Sequence, residues 1–133
     1  MEEKFEKLLK ELGRLNLPDG QYAIYGSGPM AIRGIREAKD LDIVVKKDLY
    51  KGLLERFKEI EPGHIEIDNI DIYSIDRALI DNPEEVIARA EVIKGARFIC
   101  LEDLVAWKKK MGRRKDFDGI KLIQDYLKNT HNK

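Results

Sequence analysis

Apolar positions recur along this chain with two periods, and the switches between them mark out its elements. Phe5, Leu8, Leu9 and Leu12 repeat at helical spacing with Glu and Lys on the other face, so 1–13 reads as an amphipathic helix. Gly13 and the cluster Pro18-Asp19-Gly20 interrupt it. Gln21 to Tyr25 has the composition of a short strand ending at Gly26-Ser27-Gly28-Pro29. Pro29 suits a first helical turn, which predicts a short helix over about 30–35. Asp40 to Val45 opens polar and closes β-branched, a second strand. Asp48 is placed to cap a helix carrying Leu53, Leu54, Phe57 and Ile60, which Pro62-Gly63 would end.

Between His64 and Tyr73 two short strands are expected. Ile65 and Ile67 alternate before Asp68-Asn69, Ile70 and Ile72 after it, and the flip in parity at that dipeptide marks a tight turn or bulge. Asn82-Pro83-Glu84-Glu85 combines a cap, a first-turn proline and acids, a helix start. Residues 92–99 read as an extended piece broken at Gly95. Residues 101–111 and 117–127 read as a helical pair joined by the basic Gly112-Arg113-Arg114-Lys115. The expected architecture is α/β (α+β type) in one domain: a small mixed sheet within 1–100, flanked by helices and closed by those of 101–128. No internal repeat or low-complexity tract is present.

Composition narrows the partners. Lys+Arg and Asp+Glu balance at 25 each, so a uniformly basic nucleic-acid surface is not indicated. The charged fraction of 38% exceeds the usual quarter and suits ion-pair networks on the surface. Cys100 is the only cysteine, which removes intrachain disulfides and cysteine-rich zinc sites, and its apolar neighbours predict a buried, inert thiol. His64 and His131 lack ligand spacing to each other, and His131 falls in a stretch expected to be irregular. No apolar run approaches the ~20 residues that span a bilayer, and the charged start does not resemble a signal peptide, so the chain reads as cytoplasmic.

The chemistry concentrates between Tyr22 and Val45. Asp40 and Asp42 are two apart on a strand, so both carboxylates share a face while Leu41 points to the core. Like charges held together in this way are costly unless a cation lies between them, and hard oxygens suit Mg²⁺. Fourteen residues before Asp40, Gly26 lets backbone approach an anion, and the Ser27 hydroxyl can donate to it at the start of a helix. Phosphate grip plus paired metal ligands is what phosphoryl or nucleotidyl transfer needs. Either feature alone is usually a solvated turn or strand edge. Their combination, in this order, is the informative signal.

The stretch from Gly26-Ser27-Gly28-Pro29-Met30-Ala31 through Asp40-Leu41-Asp42-Ile43-Val44-Val45 resembles the signature of the DNA polymerase β-like nucleotidyltransferase superfamily. It is most similar to the small prokaryotic minimal nucleotidyltransferases and abortive-infection-type antitoxins. The later run Leu101 to Lys108, then Gly112-Arg113-Arg114-Lys115-Asp116, is similar to the helical segment closing such domains. One departure is Gly119, where the family often has an aspartate.

The resemblance implies transfer of a nucleoside monophosphate from a triphosphate such as ATP to a hydroxyl acceptor, at a two-metal Mg²⁺ site. Asp40 and Asp42 would bind metal, with a third carboxylate from a later strand: Asp71, or alternatively Glu66. Gly26 and Ser27 would hold phosphates, and Arg36, Lys108 or Arg113 would add positive charge. The acceptor would be a protein, an RNA end or a small molecule, held on the domain face, by a dimer mate or by a separate helical partner. A catalytically degenerate antitoxin is the other reading. The pattern G-x-G-x-x-A at Gly26 also fits a dinucleotide fold, but there the ribose-binding acid follows the second strand's apolar run, and here Asp40 and Asp42 precede it. The cations at 108–110 and 113–115 could contact RNA, though a solvated helix end explains them as well.

Overall fold

The computed structural model describes residues 3–131. Its elements run α1 (Glu3–Gly13), β1 (Tyr22–Tyr25), α2 (Gly28–Ala31), β2 (Leu41–Val45), α3 (Lys47–Leu54), β3 (Glu59–Glu61) and β4 (His64–Ile67). They continue with β5 (Ile70–Ser74), α4 (Ile75–Ala78), α5 (Pro83–Ala88), β6 (Glu91–Ile93), β7 (Ala96–Phe98), α6 (Leu101–Met111) and α7 (Arg114–His131). The expected mixed α/β architecture is present. The strands form one seven-stranded sheet in the order β3-β4-β5-β2-β1-β7-β6. β2 runs parallel to β5, and β1 to β7, while the remaining neighbours are antiparallel.

Strand alternation gives the sheet two apolar faces, each with its own helical cover. Leu41, Ile43 and Val45 join Ile24, Ile65, Ile70, Ile72 and Phe98 on the first, beneath Phe5, Leu8 and Leu12 of α1 and Tyr50 and Leu53 of α3. Ala23, Tyr25 and Val44 lie on the second, beneath Met30, Val86, Ile87, Leu104 and Ile123. Each fully buried Leu or Ile contributes about 1.5–3 kcal/mol. The odd residues of β2 therefore anchor it to the first core. Asp42 shares the second face with Val44 and stays partly accessible.

Several boundaries differ from the sequence reading. The helix expected over 30–35 starts at Gly28 and ends at Ala31. Beyond it the backbone tightens into short-range bonds, Arg33 N–H to the Met30 carbonyl and Gly34 N–H to that of Ala31, and Gly34 takes φ +73°. α3 stops at Leu54, with Asp48 in its first turn rather than at the cap. Ile60 belongs to the exposed edge strand β3, and Pro62-Gly63 turns β3 into β4. The spacing from Phe57 to Ile60 mimicked a continuing helix. The break at Gly95 is a hairpin turn in which both Lys94 and Gly95 have positive φ, as a type I′ turn requires. Helix α4, which the sequence reading left unassigned, starts where the Ser74 hydroxyl accepts from the Arg77 N–H. α7 is longer than expected and carries the backbone of His131 in helix. Cys100 is half-buried, not sealed in the core, and its thiol donates to Asp103 Oδ2 at 3.0 Å.

The α6–α7 corner is held by Asp116, only 1% exposed. Its Oδ2 accepts from the Arg113 backbone N–H at 3.1 Å and from Arg113 Nε at 2.7 Å. The Arg113 carbonyl in turn accepts from the N–H groups of Asp116 and Phe117, so the acid three residues in caps the helix reciprocally. Burial would raise the Asp116 carboxyl, but these donors hold it below its ordinary value. Asp116→Ala is expected to cost about 1–2 kcal/mol, the loss of a cap and its charged hydrogen bonds. Urea unfolding measures it, and a loss under about 0.5 kcal/mol would refute the capping role.

Candidate functional site

Asp40, Asp42 and Asp71 converge at one end of β2 and β5. The parallel register sets Asp42 directly beside Asp71, and Asp40 stands just ahead of Leu41, whose N–H is tied to the Asn69 carbonyl. Each of the three offers a carboxylate oxygen within 4.8 Å of the others. Glu66, the alternative third acid, pairs with Asp71 from the next strand out and is exposed, outside this group.

Crowding acts on Asp42 and Asp40. The Asp42 carboxyl is pushed up to about 6, first by burial and then by the charges of Asp40 and Asp71, against the partial relief of His64 and Lys115. Asp40 is also raised, by partial desolvation and by Asp71, with Lys115 opposing. Three hard oxygens from side chains that repel one another fit a divalent cation such as Mg²⁺, which would remove the repulsion that raises Asp42.

Gly26 lies against this cluster. It has φ +68°, and a Cβ there would sit 2.5 Å from Asp42 Oδ2. Two independent constraints, a left-handed backbone and close approach of the carboxylate, thus require glycine. Ser27 follows, half-buried, as the cap residue of α2, with its hydroxyl making no capping bond. A Cβ at Gly28 would collide with the Ile24 side chain, so the turn is packed tightly onto β1.

The other candidate residues are placed less directly. Lys108, 6% exposed, lays its Cδ, Cε and Nζ over Gly119, where an added Cβ would come within 3.2–3.3 Å. This accounts for glycine at 119: a side chain there would displace the lysine. Burial lowers the Lys108 ammonium; Asp116 opposes that shift, while Arg36, Arg113 and Lys115 reinforce it. Arg36 is exposed and, with Lys4, Phe5, Ala31 and Lys39, surrounds a cavity of about 270 Å³ between α1 and the segment leading to β2. Neither residue is part of the carboxylate cluster. Arg113 is nearer in electrostatic terms, since the Asp42 charge helps keep its guanidinium protonated, after the larger effect of its bond to Asp116.

Features not anticipated from the sequence border the acids. His64 Nε2 lies 2.7 Å from Asp71 Oδ1, and the imidazole stacks on Tyr73 with centroids 4.3 Å apart. The signal was available: a two-residue turn at Asp68-Asn69 sets His64 opposite Tyr73 and Glu66 opposite Asp71, all on one face. Tyr73 is pushed up to about 12 by burial and by Asp42 and Asp71. Tyr25 is raised further, by burial and by the same carboxylates, and meets Tyr73 and Trp107 edge-on at 6.0 and 5.2 Å. Trp107 is a packing residue whose Nε1 donates to the Ala78 carbonyl at 3.0 Å.

No helix among the described residues is long and apolar enough to cross a membrane. Comparison with models of known protein families gives no match, and comparison with curated proteins gives none either.

Proposed function

We propose that this chain is a Mg²⁺-dependent nucleotidyltransferase of the DNA polymerase β-like kind, moving a nucleoside monophosphate from a triphosphate to a hydroxyl acceptor. The observation that carries the reading is the junction of two unlike parts. Asp40, Asp42 and Asp71 offer oxygens within 4.8 Å of one another, and the Gly26-Ser27 turn lies directly against Asp42. A carboxylate cluster alone would be unremarkable on a protein surface.

Each part has a task in the transfer. Gly26 lets the triphosphate come close to backbone, and the Ser27 hydroxyl donates to a phosphate oxygen. Arg113 and Lys115, whose charges reach the acids, offset the charge of the leaving pyrophosphate. Asp40, Asp42 and Asp71 would hold a divalent cation, which would supply polarisation of the α-phosphate and a lowered acceptor pKa. Asp71 takes the proton of the acceptor hydroxyl as its oxygen bonds to the α-phosphorus and the bond to the β-phosphate oxygen breaks.

Calorimetric titration of ATP, GTP, CTP and UTP, with and without Mg²⁺, tests this. At least one is expected to bind only with the metal. Absence of binding by all four would overturn the reading and favour a fold kept as an antitoxin or other partner-binding scaffold.

A further inference from the structure

We infer that His64 is a positioning residue that fixes the Asp71 carboxylate for a divalent cation, an inference that rests on the metal-binding reading above. A carboxylate accepts but cannot donate, so in the 2.7 Å contact Nε2 carries the hydrogen and Asp71 Oδ1 receives it. The imidazole has little freedom to turn away. It lies directly across the strand pair from Tyr73, stacked at 4.3 Å and 26°, and the side chains of His64 and Asp71 are only 12% and 14% exposed.

The contact answers a particular need. Asp71 stands between two other acids, Asp42 on one neighbouring strand and Glu66 on the other. A carboxylate in that position is repelled from the group it must join, and the hydrogen bond to its Oδ1 comes from His64 on the neighbouring strand. His64 reaches it diagonally from β4 and holds its Oδ1. Groups that orient a metal-binding carboxylate in this way are worth about 10–100-fold in metal affinity when removed.

Two substitutions separate positioning from packing. His64→Phe keeps an aromatic ring against Tyr73 but has no donor. His64→Gln places an amide N–H near the Nε2 position. Mn²⁺ binding by calorimetry, with no nucleotide present, is expected to weaken about 10–100-fold in His64→Phe and to recover most of that loss in His64→Gln. Circular dichroism of both metal-free variants is expected to match the unmodified protein. Equal Mn²⁺ affinity in His64→Phe, or no recovery in His64→Gln, would overturn the inference. So would imidazole ¹⁴N couplings in the electron spin-echo spectrum of bound Mn²⁺, which would make His64 a ligand. If the unmodified protein bound no Mn²⁺, the metal-binding reading itself would fall, a result distinct from any of these.

Discussion

Asp42→Asn is expected to stabilise the metal-free protein at neutral pH while abolishing Mg²⁺-dependent triphosphate binding. The first effect follows from linkage. The Asp42 carboxyl moves from an ordinary 3.8 to about 6 on folding, so between those values the folded chain binds more protons than the unfolded one. Its contribution to stability therefore falls as pH rises through that window, and above about 6 the full penalty is present. Two pKa units correspond to about 3 kcal/mol, the ceiling on what a neutral side chain could recover. A neutral amide escapes the penalty. Urea unfolding at pH 5 and pH 8 should show the variant gaining about 1–3 kcal/mol over the unmodified protein at pH 8, and less at pH 5. The second effect follows because the amide cannot replace the central anionic oxygen of the cluster. A variant that is less stable at pH 8, or that still binds triphosphate with Mg²⁺, would contradict the assignment.

Gly26→Ala should damage both fold and site, and Gly20→Ala shows how much of that is specific. Gly20 has φ +85° with open space around it, whereas the new methyl at Gly26 would meet Asp42 Oδ2 at 2.5 Å. A non-glycine residue in this left-handed region costs about 1–2 kcal/mol by itself. Both variants pay that. Only Gly26→Ala must also push Asp42 aside, so its loss of stability should exceed that of Gly20→Ala by at least ~1 kcal/mol, the scale of overpacking. Its Mg²⁺-dependent binding should fall more than tenfold, while Gly20→Ala binds normally. Equal losses in the two variants would show that the Gly26–Asp42 approach carries no weight.

Much of this site could be read from residue order because its parts obey local rules. Parity places Asp40 and Asp42 apart from Leu41, and Ile70 and Ile72 in the core force Asp71 to the other face. What sequence could not supply is which strands become neighbours. The choice between Asp71 and Glu66 turns on β5, not β4, lying beside β2. His64 escapes a search for histidine ligand spacing because its partner is a carboxylate reached across a hairpin. Lys108 shows the same limit. Its burial depends on the missing side chain of Gly119, one helix later, a contact between elements with no local signature. Edge strand β3 was absorbed into the preceding helix because three residues are too few to establish a period of two.

Those short edges bear on how molecules of this protein meet. β3 and β6 each have three residues, and each opens with a glutamate: Glu59-Ile60-Glu61 on one side, Glu91-Val92-Ile93 on the other. Antiparallel addition of a second β3 would set Glu59 against Glu61 at both ends of the pair, and β6 offers few free backbone groups to template a neighbour. The sheet is thereby guarded against growing from molecule to molecule into aggregates. A neighbour that extends the sheet is disfavoured at both of its edges.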